Sequence, residues 1–103
     1  MLRIALAAVM LMAFSPPAMS NSARGGVVAF SVCASCHAVG RGGGASPNPL
    51  APRFADVANW PGMTDRALRV WLTSSHPTMP NFILGRDDTD AIVDYILSLK
   101  TKH

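Results

Sequence analysis

The stretch "VCASCHAVG" at residues 32–40 contains both cysteines of the 103-residue chain. Cys33 and Cys36 are separated by two residues, and His37 follows directly. Three kinds of chemistry use such a pair: a redox dithiol, part of a zinc site, or the anchor of a cofactor. The remainder of the sequence discriminates among these three interpretations.

The first twenty residues have the pattern of a secretory signal peptide. Residues 1–3 carry a positive charge, residues 4–14 are an uninterrupted apolar run, and small residues occur at 18 and 20. A membrane span needs about twenty apolar residues, which makes an uncleaved anchor the weaker alternative. We therefore predict that residues 1–20 are cleaved and that residues 21–103 form a periplasmic domain without a stable membrane span.

The 83 residues after the predicted leader form one small domain. A chain of this length buries only about 60% of its unfolded surface and is often marginal without a disulfide, a metal or a cofactor. Two cysteines so close together would close only a very short loop, so a cofactor is the better candidate. The domain has eight Arg and Lys and six Asp, without the basic run that nucleic-acid binding needs. No nucleic-acid partner is predicted.

The apolar pattern predicts an all-α domain. Asn21 and Ser22 are candidate caps for a first helix running toward His37, whose predicted face contains Gly26, Phe30, Cys33 and His37. A Gly- and Pro-rich loop of about fifteen residues follows.

Two further helices are predicted. One extends from a Thr64 cap to about Ser74, with Leu68, Trp71 and Leu72 as a stripe. The last begins at Asp87, and its apolar face consists of Ile92, Tyr95, Ile96 and Leu99.

This helical context favours covalent haem attachment over the other two chemistries. A thioredoxin-like dithiol needs a βαβ unit, and no strand precedes Cys33. A structural zinc site takes four ligands, whereas Cys33, Cys36 and His37 supply three, two of them adjacent. Cys-x-x-Cys-His is the attachment motif of haem c, in which the cysteines form thioethers and the histidine binds iron. Cys33 and Cys36 are thus the predicted covalent anchors and His37 an axial ligand.

The second axial ligand is sought among the methionines outside the leader, Met63 and Met79. Met63 lies near a helix start, where packing is the simpler role. Met79 lies in "HPTMP", residues 76–80, where prolines exclude a helix and leave a stiff strap. Because His/Met ligation is typical of cytochromes c, Met79 is the predicted ligand. His76 is a less favoured candidate, for which a polar or capping role is simpler.

The Cys33–His37 motif, the Gly/Pro-rich loop, "MPNF" and the final helix with Tyr95 together resemble the small bacterial class I cytochromes c. The resemblance covers residues 22–100. It implies a cytochrome c-like fold of three to four helices around one covalent haem c with its iron, the first and last helices crossing. In this family a glycine and an aromatic residue occur eight and four residues before the first cysteine; here those positions are Gly25 and Ala29. Gly26 and Phe30 have the family's mutual spacing of four residues, but each lies one residue after the family position.

The resemblance also implies roles around the haem. A carbonyl of the proline loop would accept a hydrogen bond from His37 Nδ1, with Pro49 the first choice and Pro47 the second. Trp60 or Trp71 would bond a haem propionate, although simple core packing explains either tryptophan equally well.

The leading functional hypothesis is a periplasmic electron carrier rather than an enzyme. It would exchange single electrons transiently with a donor protein and an acceptor protein. The alternatives are a haem enzyme or gas sensor with an open sixth site, and a dedicated subunit of a larger oxidoreductase.

Overall fold

The computed structural model describes residues 4–5, 7–12, 19–74 and 77–101. In these ranges the chain is helical and contains no strand, as predicted. Its elements are helix α1 (Asn21–Val28), a π-helical turn (Ala29–Cys33), α2 (Phe54–Ala58), α3 (Asp65–Thr73) and α4 (Arg86–Ser98). None of the described helices combines the length and the apolar character needed to cross a membrane.

Helix α1 is capped by Ser20, not by Asn21 or Ser22 as predicted. The Ser20 hydroxyl accepts a hydrogen bond from the Ala23 amide at 3.2 Å and so satisfies a donor of the first turn. Asn21 is already helical, and its Nδ2 donates to Asp94 of α4 at 2.8 Å. The start of α1 is therefore bound to α4.

Helices α1 and α4 cross at Gly25, which is buried. A β-carbon built on Gly25 would lie 1.8 Å from the Ala91 carbonyl oxygen and 2.7 Å from Tyr95 Cβ. Both distances are far below van der Waals contact, so this approach of the two backbones requires glycine. The crossing implied by the family resemblance is present, and it uses the family's glycine position.

The buried face of α1 differs by one residue from the predicted face. Gly25 and Ala29 point into the core, whereas Phe30 is 62% exposed. The prediction assumed a continuous 3.6-residue period from Gly26 to His37. A π-helical turn begins at Ala29, and its wider i→i+5 spacing changes the phase before the cysteines.

Helix α3 begins as predicted. Thr64 Oγ1 accepts a hydrogen bond from the Ala67 amide at 3.1 Å, and the helix ends at Thr73, one residue before the predicted Ser74. Leu68 is buried, while Trp71 remains half exposed because it lies beside a cavity.

Helix α4 begins at Arg86, so Asp87 lies in the first turn and is not the cap. Its carboxylate still interacts favourably with the helix dipole there. The predicted apolar face is confirmed: Ile92, Ile96 and Leu99 are buried and Tyr95 is partly buried. An ion pair between Arg69 and Asp90 joins α3 to α4.

Helix α2 was not predicted as a helix, because it follows the proline loop and has only five residues. It contributes Phe54 and Ala58 to the core. Helix α1 contacts the core through the partly buried Val28, and the core comprises Ala29, Val39, Phe54, Ala58, Met63, Leu68, Ile92, Val93, Ile96 and Leu99. The described residues of the predicted leader contribute no side chain to it.

Gly25→Ala is expected to destabilise the folded protein by about 1–3 kcal/mol or more, because the added methyl group overpacks the crossing. The gain in helix propensity, up to about 1 kcal/mol, is too small to offset this clash. Denaturant unfolding of the holoprotein measures the difference.

Gly42→Ala is the matched control, since a β-carbon at Gly42 meets nothing within 4 Å and the residue has no positive φ. Equal stability of the two variants would contradict the role assigned to the crossing.

Candidate functional site

The Cys33–His37 motif forms a tight turn at the end of the π-helical turn. The Cys33 carbonyl accepts hydrogen bonds from the Cys36 amide at 3.2 Å and from the His37 amide at 2.9 Å. Both thiols are free and half-buried. The turn brings the two sulfurs and the imidazole to the wall of one cavity.

This cavity has a volume of about 350 Å³, within the range of small-molecule sites in proteins. No charged side chain lies among the described residues of its wall. The wall is mainly apolar and is formed by residues of the π-helical turn, the proline loop, α2, α3, the strap and α4. Its larger aliphatic and phenyl side chains are Val32, Leu50, Phe54, Val57, Leu68, Leu72, Phe82 and Ile96.

The imidazole of His37 is oriented by the Pro52 carbonyl. Nδ1 lies 2.7 Å from Pro52 O, and because a carbonyl only accepts, Nδ1 carries the proton. Nε2 is then the nitrogen left to bind a metal. The ring also packs on Phe54, with centroids 5.1 Å apart.

The prediction of Pro49 or Pro47 as the acceptor was therefore wrong. Residues beyond Asn48 turn, since the Ala51 amide donates to Asn48 O at 3.0 Å, and the chain becomes extended only as it approaches α2. The Phe54 amide then donates to Ala38 O at 2.9 Å, which holds the preceding Pro52 beside His37. A side-chain cap at the start of α2 would have shown in the sequence where the proline loop ends. The cap residue, Arg53, makes no such side-chain hydrogen bond.

Met79 also lines the cavity, together with its neighbours Thr78 and Pro80. Thr78 has a φ of 72°, the left-handed region that threonine rarely adopts. No sequence signal pointed to this conformation. The structure thus places Met79 in the same cavity wall as the two cysteines and His37.

The other two candidates for the sixth ligand differ from Met79. Met63 is 8% exposed, packs in the core and does not line the cavity, so packing describes it well. His76 lies outside the described residues.

The two tryptophans both line the cavity and remain partly exposed, Trp60 by 41% and Trp71 by 50%. Neither is a simple core residue. Their position at the margin of the cavity is compatible with an indole N–H that meets a polar group of a ligand.

The dithiol and zinc interpretations gain no support from the structure. Burial raises the pKa of the Cys33 thiol, whereas reactive dithiols depend on a lowered pKa. Among the described residues, no three or more His, Cys, Asp and Glu side chains gather in a way that could hold a metal ion.

Haem c fits the residues that are present. Two free thiols, an imidazole with Nδ1 already engaged and a thioether meet at one apolar cavity, and these are the donors that a covalently bound haem and its iron use.

A family model described as "Cytochrome C oxidase, cbb3-type, subunit III" matches residues 20–96, about three quarters of the chain. No curated protein and no solved structure matches the sequence. The matched region contains the described cavity wall and all five elements of the fold except the last two residues of α4. The chain therefore belongs to this family of small c-type cytochromes, electron-transfer proteins that bind haem c covalently.

Proposed function

We propose that the protein is a periplasmic monohaem electron carrier in which His37 and Met79 are the axial ligands of the iron. The observation that carries the proposal is the meeting of Cys33, Cys36, His37 and Met79 in the wall of one cavity. The chain has only two cysteines, and they suffice for the two thioethers of one haem.

Bound haem c supplies an iron that cycles between Fe(II) and Fe(III). His37 would bind through Nε2, held in orientation by Pro52. Met79 would supply a thioether sulfur, which favours the ferrous state.

The cavity wall supports electron transfer over catalysis. The wall has no charged side chain among the described residues, and burial in such surroundings disfavours the extra positive charge of ferric iron. We therefore expect a fairly high reduction potential. A haem enzyme or gas sensor would need an open sixth position with acid–base groups beside it. Among the described residues of the wall, the neighbours of Met79 are Pro77, Thr78, Pro80 and Phe82, and none of them has an acid–base side chain.

Export to the periplasm is supported by the leader pattern in residues 1–20. Donor and acceptor proteins would bind transiently at the cavity mouth, where Trp60 and Trp71 are partly exposed. The modest net charge of the chain, +3, does not favour strong electrostatic steering of these partners.

A second candidate function is supported by the matching family's description, which names a subunit of an oxidase. The domain would then be the electron inlet of a larger complex rather than a free carrier. Copurification under mild conditions separates the two: a stable complex favours the subunit, and a monomeric haem protein favours the carrier.

Met79→Ala is expected to remove the sulfur-to-iron charge-transfer band of the ferric protein, to lower the reduction potential and to allow carbon monoxide to bind ferrous haem. The reason is that the thioether is lost and the sixth position opens. Visible spectroscopy and redox titration measure these effects.

Met63→Leu is the control, because Met63 packs in the core away from the cavity and leucine conserves its volume. This variant should keep the band. An unchanged spectrum in Met79→Ala would instead assign the ligand to Met63 or His76.

The mass of the purified, denatured protein tests attachment and export together. We expect the mass of residues 21–103 plus one haem, because thioether bonds survive denaturation. The variant in which both Cys33 and Cys36 are replaced by serine should lose the haem mass but keep the leader cleavage. A wild-type protein that loses haem on denaturation would refute covalent attachment.

A further inference from the structure

The segment that follows the haem motif is fastened to the proline loop and α2. The Ala38 amide donates to Ser46 Oγ at 3.0 Å, and the Phe54 amide donates to Ala38 O at 2.9 Å. His37 itself donates from Nδ1 to Pro52 O. These three hydrogen bonds keep the imidazole against the start of α2.

A fourth hydrogen bond fastens the same segment to α4. The Tyr95 hydroxyl donates to the carbonyl oxygen of Val39, two residues after His37, at 2.5 Å. Val39 is only 2% exposed, so its carbonyl has little access to water. Burial also raises the pKa of Tyr95, although Arg41 nearby opposes the rise, and the hydroxyl keeps the proton that it donates.

The ring of Tyr95 is placed by the glycine pair of α1. A β-carbon built on Gly26 would lie 3.3 Å from both Cδ2 and Cε2 of the ring, which is tighter than ordinary contact. The Cβ of Tyr95 lies at the helix crossing, next to Gly25. The second glycine therefore gives the ring room to lie along α1 with its hydroxyl at Val39.

We propose that Tyr95 is a positioning residue for His37, acting through Val39. Its hydroxyl couples the α1–α4 crossing to the segment that holds the axial imidazole, and it thereby maintains the hydrogen bond between Nδ1 and Pro52. This proposal rests on the proposed ligation of iron by His37.

The simpler alternative is that Tyr95 is a core aromatic residue whose hydroxyl is incidental. Tyr95→Phe separates the two possibilities, because it keeps the ring and removes only the donor. A packing role predicts no change at His37, whereas a positioning role predicts a change there.

In the Tyr95→Phe holoprotein, we expect the His37 ring N–H to exchange with solvent deuterium about 2- to 13-fold faster, the range that one net hydrogen bond allows. A weaker Nδ1–Pro52 bond makes the imidazole less basic and stabilises ferric iron less, so the reduction potential should rise. Gly26→Ala, which displaces the ring, should change both quantities in the same direction. NMR and redox titration are the measurements.

Thr89→Val is the matched control. It removes a hydroxyl of the same helix, six residues before Tyr95, that donates to a backbone carbonyl, Gly85 O, at 3.0 Å. It should leave ring exchange and potential unchanged. If Tyr95→Phe also leaves both unchanged, or loses only thermal stability to the same extent as Thr89→Val, the positioning role is refuted.

The wild-type protein tests the underlying assignment before any variant is compared. Hyperfine-shifted imidazole resonances of His37 in the ferric protein are expected. Their absence would refute ligation by His37, and the positioning proposal with it, whereas their presence followed by unchanged variants would refute the positioning proposal alone.

Discussion

The close contact of α1 with α4 at Gly25 is the constraint on which the rest of the structure depends. Because the two backbones meet there without a side chain between them, Tyr95 is brought against α1 and Asn21 reaches Asp94. The π-helical turn begins four residues later and leads directly into the first cysteine. The position of the cavity wall is thus set by a contact outside the cavity.

The cavity also explains how so small a domain folds. Phe54, Leu68 and Ile96 belong both to the buried core and to the cavity wall. A large apolar cofactor placed there would extend the core rather than occupy a pocket in its surface. Folding and cofactor attachment are for this reason expected to depend strongly on each other.

The parts of the site that local chemistry determines could be predicted from the sequence. Cys33, Cys36 and His37 were predicted as site residues from their spacing, and Met79 from the prolines that exclude a helix around it. The structure places all four in one cavity wall, and their roles toward a haem stay predictions. The acceptor for His37 could not be found in this way, since Pro52 is selected by a long-range backbone hydrogen bond from Phe54 to Ala38. The face of α1 was displaced by one residue because a π-helical turn leaves no composition signal. Helix α2 was not predicted, because tertiary contacts rather than helix propensity stabilise so short a helix.

The cap of α1 lies at the site where the proposed cleavage of the leader would occur. Ser20 holds the first turn through its hydroxyl and through its carbonyl, which accepts from the Arg24 amide at 3.0 Å. A signal peptidase that cuts after residue 20 would remove this residue and leave a positively charged amino group at the positive end of the helix dipole. The Asn21–Asp94 contact would then have to anchor the new terminus, with the Asp94 carboxylate close to the new charge. Processing would in this way exchange a local cap for a long-range one, so that the mature α1 would depend on α4 for its first turn as well as for its crossing.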